Sequence, residues 1–334
     1  MRPNCLRPAL QMLRWLGIAY ATIGTGHAVE PAHEWLSVRD QNPFVLASGI
    51  PLAPVTASAG QWRVDTTFHI ANTELQQSNQ RSRVLFDAET RETRVNIAYG
   101  LNADWTARVS IGHWWIGDGI LDSAIEEFHH VFGFTNGDRD LLGTQAPVIE
   151  VRDDEGLLYS LRDGRAAAAP MLIDFTRHWQ NDSAHRSGVS FGAKLPVGSR
   201  SRLNDSGSID FSLTAFTTLP IGQSATFAAR AGVLYQSDNT LLGNYAEKHV
   251  VFASALLAYQ LTPNWNVYAQ LDAHDALYRK MPDFLGRANV LSVGLGRRIG
   301  NHAEAVVTLG EDAPATHTTD VVFGLQLRMA GTPR

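Results

Sequence analysis

Residues 264–275 read NWNVYAQLDAHD, and this stretch decides the fold. Val267, Ala269, Leu271 and Ala273 alternate with Asn266, Tyr268, Gln270, Asp272 and His274. That is the period of a strand with one apolar and one wet face. A single such strand also fits a soluble sheet. The return of the pattern, and the size of the gaps between returns, separates the two cases.

The pattern returns along most of the chain. Trp62, Val64, Thr66, Phe68 and Ile70 alternate with Arg63, Asp65, Thr67 and His69. A second strand over 82–100 carries Val95, Ile97 and Tyr99, and a third carries Trp105, Ala107, Val109 and Ile111. Residues 171–180 form a less regular fourth. Val189 to Leu195, Ile209 to Ala215 and Phe227 to Tyr235 supply the next three, and 249–261, apolar on both faces, is the weakest alternator. Beyond the opening stretch, Leu291 to Leu295, Ala305 to Leu309 and Val321 to Met329 complete the set. The expectation is about twelve strands near the 9–11 residues with which a tilted strand crosses a bilayer.

Connector length then follows strand parity. Short connections are expected at 101–104, 181–185, 220–224, 262–264 and 300–301, and long ones at 73–81, 117–168, 197–207, 237–248, 276–286 and 313–319. A bacterial barrel has short periplasmic turns and longer outer loops. The fold class expected is all-β, a transmembrane antiparallel up-and-down β-barrel. Trp62, Trp105, Trp179, Phe227 and Trp265 fall near the periplasmic strand ends, where an aromatic girdle belongs. Against the pattern, the last strand is followed by a polar tail (330–334) rather than ending in an aromatic residue.

Composition agrees with a barrel. The 334 residues are 44% hydrophobic and only 18% charged, with a net charge of −5; soluble domains average about 25% charged. No apolar run reaches the roughly 20 residues of a membrane-spanning helix, and the mild acidity leaves no footprint for nucleic acid. Arg2, Arg7 and Arg14, the apolar stretch 15–25 and Gly26-His27-Ala28 describe a signal peptide over 1–28, cut after Ala28. The only cysteine, Cys5, lies in that leader. Residues 29–60 form an irregular segment in which Pro43, Pro51 and Pro54 exclude an interior strand; it plugs the lumen, lies at the periplasmic mouth or is a linker. The barrel proper is expected over 61–329, in the outer membrane, as a monomer surrounded by lipid.

The long connection at 117–168 carries a different period. Leu121, Ile125, Phe128 and Phe132 recur at three- and four-residue spacing, with Glu126, Glu127, His129 and His130 opposite. This spacing predicts an amphipathic helix over 120–134, a candidate plug or gate. The sequence also resembles the domain-of-unknown-function family 3187 of proteobacterial outer-membrane barrels. The resemblance is carried by Asn42-Pro43-Phe44, Gly49-Ile50-Pro51-Leu52-Ala53, Asp87-Ala88-Glu89-Thr90, Tyr99-Gly100-Leu101 and the helical stretch 120–139. Lys194-Leu195-Pro196-Val197-Gly198, Gly207-Ser208-Ile209-Asp210, His274 to Tyr278 and Glu311-Asp312 continue it. It implies an outer-membrane location and no particular reaction.

Candidate site residues are Lys194, Asp210, His274 and Asp312, polar-face residues near the outer strand ends that would point into the outer mouth. They would tune passage or bind a polar ligand, or, for Lys194 and Asp210, form a salt bridge. Glu126 and His129 have metal-pair spacing but lack the second copy such sites need. No cofactor, metal or catalytic residue is therefore assigned. The functional expectation is a pore or selective transporter for a small solute. The alternatives are a lipid-modifying or lipid-degrading enzyme, with His274, Asp275 and Ser206 or Ser208 as the least implausible set, or a barrel without flux.

Overall fold

A computed structural model describes residues 35–117, 119, 147–180, 185–312, 319 and 321–331. Among them the strands are β1 (Trp62–Ser78), β2 (Ser82–Gly100), β3 (Trp105–Gly117), β4 (Val148–Asp153), β5 (Gly156–Leu161), β6 (Arg165–Gln180), β7 (Arg186–Leu195) and β8 (Asp210–Ile221). There follow β9 (Ala225–Tyr235), β10 (His249–Thr262), β11 (Trp265–His274), β12 (Ala288–Ile299), β13 (Ala303–Asp312) and β14 (Val321–Gly331). Twelve of these form a closed antiparallel up-and-down barrel. β3 pairs with β6, the following strands pair in sequence order, and β14 returns to β1 from Trp62↔Gly331 to Asn72↔Val321. The remaining two, β4 and β5, form a hairpin that pairs with the outer end of β2.

The alternation is inverted with respect to a soluble protein. In β11 the apolar residues are the exposed ones, Val267 at 36% and Leu271 at 43%, while Asn266, Tyr268, Gln270 and Asp272 are buried. The same holds around the wall, where Ile97, Ile111, Phe191, Phe211, Leu257, Val293, Val307 and Leu325 all face outward. An apolar belt outside and a polar face inside is the pattern lipid demands of a barrel. At the short-turn (inner) rim, the Arg177 and Arg297 guanidinium groups lie over the Trp105 and Trp265 rings, giving that edge the amphipathic character of an interfacial girdle.

Three expectations require correction. The first outer connection is not 73–81: β1 continues to Ser78 and β2 begins at Ser82, leaving only 79–81 as a turn. Here the run Glu74-Leu75-Gln76-Gln77 lacks alternation, yet its backbone groups are satisfied by pairing with β2. The insertion is likewise shorter than 117–168. It contains the β4–β5 hairpin, and β6 starts at Arg165, six residues before the expected 171. The barrel also runs past 329, since β14 reaches Gly331. The helix expected over 120–134, with Leu121, Ile125, Phe128 and Phe132, lies outside the described residues, as does the leader.

Residues 35–60 occupy the lumen. From Trp35 at the inner rim the chain climbs to a short helix, α1 (Pro43–Ser48), near the outer rim, then descends through Pro51 and Pro54 to β1. The sequence of α1 explains its bounds. Asn42 caps it by accepting from Phe44 N (3.0 Å), Pro43 takes the first turn, and Gly49 closes it with φ +75°. Phe44, Leu46 and Val45 pack among Phe86, Trp114, Ile149, Tyr159, Tyr278 and Phe284. Near the inner rim Trp35, Leu36 and Val38 pack against Ala228, Leu256, Ala258, Tyr268 and Val306. Each fully buried side chain contributes about 1.5–3 kcal/mol. These contacts explain why β10 alternates so weakly: its lumen face, with Val250, Phe252, Leu256 and Ala258, packs on apolar residues of the filled lumen.

The lipid-facing assignment has a depth signature. Val293→Arg, at the middle of β12, is expected to cost about 2–4 kcal/mol, and Val251→Arg, near the outer end of β10, about 0–1 kcal/mol. Urea unfolding midpoints in phospholipid vesicles measure the difference; equal costs would contradict the membrane placement.

Candidate functional site

The lumen is the candidate site, and its chemistry starts from the strand period. Polar positions halfway along a spanning strand point inward, so opposite charges on neighbouring strands meet in register. Arg108 faces Asp174 across β3 and β6, with Nε to Oδ2 at 2.7 Å. Glu304 faces Arg328 across β13 and β14, at 3.0 Å. Lys194 faces Asp210 across β7 and β8, with Nζ to Oδ2 at 2.6 Å. Arg230 reaches Asp272 at 3.3 Å, with Ser254 on the strand between them donating to the same carboxylate. Arg94 holds Glu92 at 2.9 Å. All these side chains are buried or nearly so, which makes the pairing obligatory.

Five wall cations donate to main-chain carbonyls of the plug. Arg328 Nη2 donates to Trp35 O (2.5 Å), Arg230 Nη1 to Pro51 O (3.0 Å) and Arg108 Nη1 to Ala53 O (2.7 Å). Arg63 Nη1 donates to Thr56 O (2.7 Å) and Lys194 Nζ to Ala47 O (3.2 Å). Gln270 clasps one residue by its main chain, accepting from Leu36 N (2.9 Å) and donating to Leu36 O (3.1 Å). The reason lies in the plug sequence: Pro43, Pro51 and Pro54 have no N–H, so carbonyls outnumber donors and the wall must supply them. Glycine on the wall provides room. At Gly294 an added Cβ would lie 3.0 Å from Leu36 Cδ2.

At the outer rim the contacts become specific to side chains. His274 Nε2 lies 3.1 Å from Asp40 Oδ2, and Arg39 of the plug donates to Glu92 at 2.7 Å. Asn42 Nδ2 donates to Phe284 O (2.9 Å). The Ser48 and Tyr278 hydroxyls are 3.1 Å apart, and Asn239 Nδ2 donates to both. Burial of Tyr278 pushes its hydroxyl pKa up to about 12. Loop ends and α1 are thus bound into one buried network.

The structure places the four candidate residues as follows. Lys194 and Asp210 form a buried ion pair, joined by Ser206, whose hydroxyl accepts from Lys194, and Ser208, which donates to Asp210 at 2.8 Å. His274 binds the plug through Asp40, and its Nδ1 lies 2.8 Å from the Asp275 carbonyl. Asp312 is buried on the lumen face of β13, opposite Val290. Ser206 and Ser208 are engaged by Lys194 and Asp210, not by His274, so the suggested serine, histidine and acid set is not assembled. No cluster of three or more His, Cys, Asp or Glu fit for a metal occurs among the described residues. The lumen-face charges Glu92, Arg108, Asp174, Arg230, Asp272, Glu304 and Arg328 carry most of the site, and of these the alternation of residues 264–275 named only Asp272, as a polar alternate. A charge on the polar face of a spanning strand was the signal that could have found them.

Two small cavities of about 20 and 40 Å³ flank the plug, one beside Pro51, Leu52, Arg108 and Lys194, the other beside Val55, Arg63 and Glu304. They suit water and nothing larger. A third cavity, about 520 Å³, lies among the outer loops between Gln236, Asn239, Glu247 and Arg279.

Breaking the outermost pair tests how tightly the plug seat is built. Lys194→Met leaves Asp210 buried without its cation and is expected to cost about 3–5 kcal/mol. Lys194→Met combined with Asp210→Asn should recover more than half of that loss in denaturant unfolding. A double variant no more stable than the single one would contradict the pairing.

Comparison with known proteins agrees with the architecture. The COG4313 outer membrane channel from Pseudomonas putida F1 superposes with a TM-score of 0.57 at 12% identity, over 82% of this chain and 97% of that one. The NanC porin superposes at 0.48 with 8% identity, over 80% and 98%. No curated protein matches the sequence. The first of these likenesses shows the outer-membrane barrel fold. A family model described as protein of unknown function (DUF3187) matches residues 22–330, and the chain belongs to that family.

Proposed function

We propose that the barrel is an outer-membrane channel or transporter for a small polar solute, closed by residues 35–57. On this reading the chain is exported to a Gram-negative envelope, the leader is removed after Ala28, and the monomer sits in outer-membrane lipid. The observation that carries the proposal is the polar wall behind the plug. Buried ion pairs are a poor source of stability, and apolar replacements of the same volume are often equal or better. A barrel with no passage to line has no use for Glu92, Arg108, Asp174, Arg230, Asp272 and Arg328 buried on its lumen face. Such a wall is suited to water once the plug has left.

The plug contacts fit that reading. Wall cations grip backbone carbonyls, and water can replace each such bond at a net cost of about 1.5–3 kcal/mol. The two cavities described beside the plug are water-sized, so passage of a solute through them requires the plug to move.

Planar-bilayer recording tests the proposal. The full chain should rest closed, deletion of 35–57 should give sustained conductance, and Gly294→Phe, which crowds Leu36 in the otherwise intact chain, should raise the open fraction. Absence of conductance in both variants, while the folded form still migrates as a heat-modifiable band, would sink the channel reading.

A further inference from the structure

The descending limb of the plug, 50–57, makes its polar contacts with the wall almost entirely through its main chain. Arg230 donates to Pro51 O, Arg108 to Ala53 O (and, at 3.5 Å, to Leu52 O), and Arg63 to Thr56 O. At the inner end Thr106 clasps Ala57, accepting from its N–H at 2.9 Å and donating to its carbonyl at 3.4 Å. Among the described residues its side chains add the bond from Arg186 Nη1 to Thr56 Oγ1, at 2.9 Å, and the apolar packing of Ile50 and Ala53. Spare volume lies beside Pro51, Leu52 and Val55, where the two small lumen cavities sit. The limb carries no helix or strand. The wall therefore reads a row of carbonyls and asks almost nothing of the N–H groups, which is the condition under which proline is tolerated at any position.

We infer that the Arg63, Thr106, Arg108 and Arg230 wall is a binding track for extended, proline-containing peptides, and that residues 50–57 occupy it as an internal stand-in. The ascending limb differs. It is fixed by Arg39 on Glu92, Asp40 on His274 and Ser37 on Asp65, contacts an unrelated sequence would not reproduce. Only the descending half of the lumen is therefore permissive. The inference deepens the channel reading, on which it rests, by naming a class of guest that enters when the plug leaves.

The test keeps the whole chain and cuts it after folding. Ser58 and Ala59 are exposed, and Gly60 turns there with φ +73°, so a protease site between Ser58 and Ala59 lets the plug be severed in the folded barrel. Two fluorescent peptides serve as probes. One is GIPLAPVTA (49–57); the other has the same length and proline positions and is otherwise unrelated. Anisotropy should show both binding the cleaved barrel with affinities within tenfold of each other, and neither binding the uncut barrel. The charge-neutral variant Arg108→Met, Asp174→Asn, Arg230→Met, Asp272→Asn should weaken both at least tenfold while preserving heat-modifiable migration. If the unrelated peptide binds more than a hundredfold weaker, or neither binds, the track is dedicated to its own plug and the inference falls. Bilayer recording separates this from failure of the channel reading. Conductance after cleavage that neither peptide blocks overturns the guest alone. Peptide binding without conductance overturns the channel.

Discussion

A backbone amide or carbonyl left unpaired in hydrocarbon costs several kcal/mol, so a sheet can cross a membrane only by consuming both of its edges. The pairing of β14 with β1, from Gly331 and Trp62 at one rim to Val321 and Asn72 near the other, meets that constraint, and the rest of the molecule follows from it. Closure with twelve strands leaves a lumen wider than the wall side chains fill. Strand periodicity then places Arg108, Asp174, Arg230, Asp272, Glu304 and Arg328 inside, where each needs a partner. Neighbouring strands supply the carboxylates. A second chain segment supplies the remaining acceptors and the bulk.

That second segment could not be a long helix or a strand paired in a sheet, because in either the carbonyls are already taken. A proline-rich segment does not. Its surplus acceptors match the surplus donors of guanidinium groups that already spend one edge on a carboxylate. Arg108 is the clearest case: one nitrogen is on Asp174 and two others are on the carbonyls of Ala53 and Leu52. The plug and the charged wall are therefore complementary consequences of composition. Where the plug is apolar, at Trp35 and Leu36, the wall answers with Leu256, Ala258 and Val306 and with the missing side chain at Gly294.

Strand period and turn spacing made the barrel, its strand number and its lipid face legible, because a one-residue error in alternation would turn a whole strand inside out. Parity of connector length was a weaker guide than it looked. Residues 74–78 reach the outer rim as strand, since β2 supplies hydrogen bonds that no local pattern announces. The weak alternation of β10 was visible, but its cause lies about 220 residues away in the plug, at Trp35 and Leu36. The capping signals of α1 (Asn42, Pro43 and Gly49) stood in the sequence, but a six-residue helix is too short for hydrophobic period to reveal it. Lys194 and Asp210 could be paired from strand register. The link from His274 to Asp40 could not, because it depends on where the plug is threaded.

The two ends of the plug differ in what would release them. Near the inner rim the seat is a set of main-chain bonds that water can replace one at a time. Near the outer rim α1 is locked by Tyr278, Ser48 and Asn239 and by the aromatic contacts of Phe44 with Tyr159 and Tyr278. Tyr278 stays neutral and able to donate there only while its hydroxyl keeps its proton. Its folded pKa, about 12, stands above the ordinary value near 10. The contribution is therefore complete below about pH 10 and is lost only as pH rises through about 12. Protons at physiological pH do not act on this latch. Loops that carry it, 236–248 and 276–287, also enclose the outer cavity beside Gln236, Asn239 and Arg279, and Asn239 belongs to both. Whatever shifts Asn239 from that side acts directly on the hydroxyl pair that holds α1, which makes the outer loops, not the inner rim, the natural place for release to begin.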